Sequence, residues 1–213
     1  MEELWDWQTT VKIYHRLIIY HPMTLQDLNS LKTDLSVKAK NGMDFTLSAS
    51  IIWLGIAYIW TLSARSYDKS VLTFIAGAFM LPLAFGLSKV LKTQWNTTNP
   101  LESLGLWLNF AQLFYFPFLV FTLMKMPDYF VMVYVIITGA HFFPYAWYYK
   151  TNLYAIFAGI ISVGALFLGL TLESGTMFYL PAFMSTSLIV LTGLLYLDSQ
   201  KKRGTSTQQF QVQ

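Results

Sequence analysis

Five side chains in the apolar part of this sequence carry groups able to exchange protons or bind a polar molecule together: Asn109, Gln112, Thr138, His141 and Tyr145. Asn109 and Gln112 are three apart and share one face of a helix, while Thr138, His141 and Tyr145 follow at steps of three and four along another. Polar groups are costly in hydrocarbon unless partnered, so those found there mark either sites or interhelical bonds. Two carboxamides, a hydroxyl, an imidazole and a phenol would suit a small polar solute. They would equally suit a proton-sensitive switch, since His141 is the one group in the apolar runs whose unperturbed pKa lies near neutrality. The bland reading is a helix–helix clamp in which these groups bond to one another and nothing passes, at about 1 kcal/mol or less per bond. The sequence leaves both open.

The residues for covalent or metal chemistry are missing. There is no cysteine, and two of the three histidines, His15 and His21, precede the apolar runs, so no metal site and no cofactor is expected. No Ser, His and Asp set falls at one depth and no glycine-rich phosphate loop occurs, so no catalytic residue is assigned. Glu102, Asp128, Glu173 and Asp198 all bound apolar runs rather than lie in them. A cation-coupled carrier normally needs a buried carboxylate. A transporter of this sequence would therefore admit a neutral or weakly charged solute.

Six stretches free of Asp, Glu, Lys and Arg must position these groups: residues 45–64, 70–88, 103–124, 129–149, 151–172 and 174–197. Each approaches or exceeds the roughly 20 residues that cross about 30 Å of hydrocarbon as a helix. The fold class that follows is an all-α membrane protein with six transmembrane helices in three antiparallel hairpins, preceded by an amphipathic N-terminal segment. Folding the third and fourth helices about Met126 puts Gln112 and His141, fourteen and fifteen residues away, at matching depth, about 21 Å from that turn. The composition agrees with this class, at 55% hydrophobic and 12% charged, against about a quarter charged in soluble domains. The net charge of +3 sits largely at the ends of apolar runs and gives no reason to expect nucleic acid as a partner. The bilayer is the expected one.

Segments that would face the cytoplasm with the N-terminus inside hold Lys12, Arg16, Lys32, Lys38, Lys40, Lys89, Lys92, Lys150, Lys201, Lys202 and Arg203. The opposite segments hold only Arg65, Lys69 and Lys125. Eleven against three predicts both termini in the cytoplasm. Residues 1–43 read as a cytoplasmic or interfacial segment, its aromatic start (Trp5, Trp7, Tyr14, Tyr20) too short to span, with no cleavable signal. Within it, residues 24–41 predict an amphipathic helix: Thr24 and Asp27 form a capping pair, and Leu25, Leu28, Leu31 and Leu35 form a stripe. Residues 44–198 form the six-helix domain, and 199–213, rich in Ser, Thr and Gln, read as a disordered tail.

Pro82, Pro117, Pro144 and Pro181 should each bend a helix. Ala155, Gly159 and Ser162 give the fifth helix a small-residue face, suited to a buried central position or to a homo-oligomer contact.

The run Leu104-Gly105-Leu106-Trp107-Leu108-Asn109-Phe110-Ala111-Gln112, with Thr138-Gly139-Ala140-His141-Phe142-Phe143-Pro144-Tyr145 and Lys40-Asn41-Gly42, resembles a family of small bacterial multi-pass membrane proteins whose domain has no assigned function. The resemblance covers about residues 25–200. It implies a bacterial inner (cytoplasmic) membrane location and carries no activity with it.

Overall fold

The structure is a computed structural model that describes residues 24–95 and 98–211, with side chains as far as residue 204. The aromatic segment 1–23 lies outside the described residues. Six helices are long and apolar enough to cross a membrane, at Lys40–Thr61, Ser66–Leu91, Glu102–Lys125, Pro127–Tyr148, Leu153–Thr171 and Ser174–Gly204, here called the first to sixth spans. No strand occurs among the described residues. The all-α class expected from hydropathy is the class observed.

The centre of the molecule is the pairing of the first span with the sixth. About half of each is buried (56% and 50%), against 28% of the fifth and 6% of the third. The fifth span is thus not the central helix that its small residues suggested. Small residues permit close approach but do not compel it, and Gly159 faces open space. On the sixth span Leu180, Met184, Leu188, Leu191 and Leu195 recur at steps of four and three and are completely buried, one helical face turned wholly inward. They meet Trp53, Ile56 and Trp60 of the first span in one core.

A polar seam runs down the same interface. Thr192 Oγ1 donates to Thr46 Oγ1 at 2.8 Å, and Ser185 Oγ donates to the Ser50 carbonyl at 2.8 Å. With Asn41 donating to the Leu195 carbonyl at 3.0 Å, these contacts run up one helix as they run down the other, so the pair is antiparallel. In hydrocarbon, such hydroxyl and carbonyl bonds are a directional contribution that dispersion between apolar faces lacks.

Proline breaks the second, third and fourth spans into two pieces each, at Phe79, Phe114–Tyr115 and Phe142. Pro82, Pro117 and Pro144 each begin the second piece, and backbone bonds reaching back three residues, such as Phe142 N–H to Gly139 O at 3.1 Å, tighten the joints. Pro181 behaves differently from the expectation. It lies in the first turn of the helix Tyr179–Gln211, where a missing N–H costs nothing, so it starts that helix rather than bending it. The same helix runs on to Gln211. Ser, Thr and Gln are tolerated in a helix already nucleated upstream, and Lys202 is fastened to the bundle.

The N-terminal helix covers Leu25–Lys38, shorter than the predicted 24–41. Thr24 Oγ1 accepts from the Asp27 N–H at 3.1 Å while the Asp27 carboxylate accepts from the Thr24 N–H at 2.9 Å, a complete capping box. The helix ends early because Lys40, Asn41 and Gly42 all take left-handed backbone angles (φ 46°, 55° and 71°), turning the chain into the first span. Asn and Gly accept that region at low cost.

Candidate functional site

Of the five sequence-predicted residues, the structure joins two pairs. Gln112 Nε2 donates to Thr138 Oγ1 at 3.4 Å, a long bond linking the third and fourth spans. His141 Nε2 lies 3.4 Å from the Tyr145 hydroxyl, with the two rings edge to face at 5.3 Å between centroids. That contact stays within the fourth span and bridges its proline break. Asn109 turns away: it is exposed, and Nδ2 donates to the Gly105 carbonyl of its own helix at 3.0 Å. No hydrogen bond joins Gln112 to His141 among the described residues. Matching depth, which hairpin counting supplied, does not fix rotation about the helix axis. The third span is also the least covered, and its break at Phe114–Tyr115 turns its two halves separately.

The densest polar constellation lies elsewhere, where the N-terminal helix, the start of the first span and the end of the sixth meet. Asn41 is completely buried. Its Nδ2 donates to the Leu195 carbonyl and to Asp198 Oδ2, each at 3.0 Å. Its Oδ1 accepts from the Ser36 hydroxyl and, at 3.3 Å, from Lys202 Nζ. Its backbone carbonyl accepts from the Tyr154 hydroxyl at 2.6 Å. The Lys202 ammonium also donates to Ser36 Oγ and to the Tyr149 carbonyl, both at 2.9 Å, and forms an ion pair with Asp198 at 2.7 Å. One asparagine thereby ties the start of the first span to the N-terminal helix, the fifth span and the sixth. Each charge in the group has an opposite charge or several dipoles against it, which is the condition for burying charge without a large penalty.

Asp44, one turn further on, corrects the expectation that no carboxylate is buried: it is 1% exposed. Its Oδ2 accepts from Thr93 Oγ1 at 2.8 Å and from the Trp95 indole N–H at 2.5 Å, holding the loop between the second and third spans. Trp95 in turn stacks on Phe45 at 4.9 Å. A charge at the boundary of an apolar run reads as solvent-facing. Here the loop folds back over it. Asn99 in that loop is also buried, donating to the Leu31 carbonyl at 2.8 Å and to Asp34 at 3.0 Å, so the N-terminal helix is clipped to the loop as well. Around this region Tyr145, Tyr148, Tyr149 and Tyr154 pack ring against ring at 4.7–6.0 Å between centroids. Burial raises the phenol pKa of Tyr149 well above its usual value, with the charge of Asp44 a lesser contribution.

Sequence reasoning missed Asn41 and Asp44 as a site because it searched within the charge-free runs. A signal was present: Ser185, Thr192 and Ser199 recur every seven residues on the sixth span, and Thr46 and Ser50 lie four apart on the first. That is the spacing of a helix–helix seam. No group of His, Cys, Asp or Glu able to hold a metal occurs among the described residues.

No curated protein and no solved structure matches the chain. A family of unknown function (DUF7010) matches residues 28–198, within three residues of the span that the tryptophan–asparagine and histidine–proline runs suggested, and the protein belongs to that family.

Proposed function

We propose that this is a regulatory or structural membrane protein of the bacterial cytoplasmic membrane, with both termini in the cytoplasm, acting through its N-terminal helix. The observation that carries the reading is the Asn41 group. A surface helix merely lying on headgroups needs no buried hydrogen bonds to the far end of the chain, yet Ser36 and Asn41 meet Asp198 and Lys202 across more than 150 residues. Through that group, displacement of Leu25–Lys38 is felt by the central helix pair. In this reading the Gln112–Thr138 contact is a clamp between spans.

The chain has no cysteine, so spin labels can be placed at will. With cysteines at the exposed positions Gln26 and Leu197, electron spin distance measurements in nanodiscs should give one narrow distribution that broadens in Asn41→Ala. An unchanged distribution in the variant would remove the coupling on which the proposal rests.

A second reading keeps Asn109, Gln112, Thr138, His141 and Tyr145 as a solute or proton-sensitive site, as in a small transporter. It is favoured by the His141–Tyr145 bond, whose donor depends on the imidazole's state. Thr138→Cys should then react with a water-soluble thiosulfonate from one side, and His141→Gln should alter a pH response between about 5 and 8 without changing stability. A homo-oligomer through Ala155, Gly159 and Ser162 is supported by the open Gly159 but not by Ser162, which donates to the Ile136 carbonyl of its own chain at 3.2 Å.

A further inference from the structure

Two lysines approach one another at this end of the bundle, one from the N-terminal helix and one from the turn after the fourth span. Lys32, on the inner face of the N-terminal helix, is 7% exposed, and its Nζ lies 3.9 Å from the centroid of the Trp147 ring in the last turn of the fourth span. Lys150 follows three residues later. It is exposed and adopts a left-handed backbone (φ 52°), in a turn closed by its own N–H to the Trp147 carbonyl at 3.3 Å and by the Thr151 N–H to the Ala146 carbonyl at 3.0 Å. The turn holds the Lys150 backbone against that of Trp147, and the Lys150 charge is near enough to act on Lys32.

Neither ammonium has a hydrogen bond or an ion pair among the described residues, in contrast to Lys38 with Asp34, Lys40 with the Leu91 carbonyl and Lys202 with Asp198. Asp34 is already shared between Lys38 and Asn99, and Asp198 between Lys202 and Asn41. Yet no nitrogen that is fully sealed from solvent lacks a partner. The Lys32 stem is therefore buried while its ammonium reaches the surface, the snorkelling arrangement of a lysine at a membrane boundary. Burial chiefly, and the like charge of Lys150 next, lower the Lys32 pKa. An anion between the two would act in the opposite direction.

We propose that Lys32, seated on the Trp147 ring, and Lys150, in the turn that follows it, together hold the phosphate of an anionic phospholipid headgroup. A tryptophan in the last turn of a span sits at headgroup level, where an indole presents its ring to the boundary. Two ammonium groups without a carboxylate between them match the several oxygens of one phosphate, and the Trp147 face supplies the apolar side against the acyl–glycerol junction. Free inorganic phosphate presents the same oxygens and is the source to be distinguished.

The test uses the full-length protein, stripped of lipid in detergent and titrated with phosphatidylglycerol, phosphatidylcholine or inorganic phosphate while thermal unfolding is followed. Phosphatidylglycerol should raise the melting temperature saturably. Lys32→Gln and Lys150→Gln should each weaken its apparent affinity about fivefold, the effect of one basic residue near an anionic surface. Lys89→Gln, a basic residue at the same end of the bundle but away from Trp147, should leave it unchanged. Because Lys150 is exposed, its variant folds even if the Lys32 variant does not, and native mass spectrometry on it counts retained lipid directly. An equal loss in Lys89→Gln would reduce the effect to general surface charge and overturn the site. Saturation by inorganic phosphate at the same concentration as lipid would overturn the lipid assignment, and wild-type affinity in Lys150→Gln would overturn both.

Discussion

Replacing Asn41 separates a side-chain contribution from a backbone one. Asn41→Ala removes four side-chain hydrogen bonds: to Leu195 O, to Asp198, from Ser36 and from Lys202. Ser36, Asp198 and Lys202 still bond one another, so the net loss is smaller than the sum of isolated bonds, about 2–3 kcal/mol at roughly 1 kcal/mol for a neutral bond and somewhat more for a charged partner. Alanine must also adopt φ 55°, which adds about 1 kcal/mol. The total expected is about 3–4 kcal/mol. Asn41→Gly loses the same four bonds but not the backbone ease, and should be about 1 kcal/mol less destabilised than the alanine variant, opposite to the order in a helix interior. Asn41→Asp keeps the acceptor for Ser36 and Lys202 but sets a second carboxylate 3.0 Å from that of Asp198, and should be the worst of the three at neutral pH. Steric-trap unfolding in bicelles measures these differences at equilibrium. A glycine variant less stable than the alanine variant, or an alanine variant within 0.5 kcal/mol (about the error of such a difference) of wild type, would refute the assignment of Asn41 as the hub.

Four further outcomes follow from the geometry. Asp44→Asn, which keeps an acceptor for Trp95 and Thr93, should be tolerated, whereas Asp44→Leu should cost about 2 kcal/mol and expose the 92–101 loop to protease; equal cleavage of the two variants would count against the anchor. Gly42→Ala puts a Cβ 2.8 Å from the Tyr149 hydroxyl at φ 71°, so it should destabilise the protein, with partial rescue by Tyr149→Phe seen in detergent melting curves. Gln112→Leu and Thr138→Val should each shift stability by about 1 kcal/mol or less, and the double variant by less than their sum, because they delete the same bond. Cysteines at the exposed Gly204 and Lys125 should label from opposite faces of an intact membrane; labelling from one face would contradict the topology.

The spans were legible because hydrocarbon imposes a length on every crossing helix, and the absence of charge marks that length directly. The capping box of Thr24 and Asp27 was legible for a similar reason: it is local, set by three residues of spacing. Rotation and partner choice were not. Gln112 was expected opposite His141 and meets Thr138 instead, one turn away; the break at Phe114–Tyr115 lies between Gln112 and the turn and sets a rotation that counting residues does not register. Asp44 and Asn41 were passed over because they lie just outside the charge-free runs, whereas their neighbours in space, Trp95, Leu195 and Tyr154, come from far along the sequence.

The pairing of the first span with the sixth also dictates an order of events at the ribosome. Thr46 and its partner Thr192 are 146 residues apart, so at about 5–20 residues per second the first span waits roughly 7–30 s in the bilayer before its partner is made. During that interval Thr46 and Ser50 can bond only within their own helix, and the Asn41 carboxamide has neither Leu195 nor Asp198 to bind. A nascent chain arrested after the fifth span would therefore present a polar stripe without its interhelical partners to lipid or to the insertion machinery. The assembly of this protein completes only when its last helix arrives.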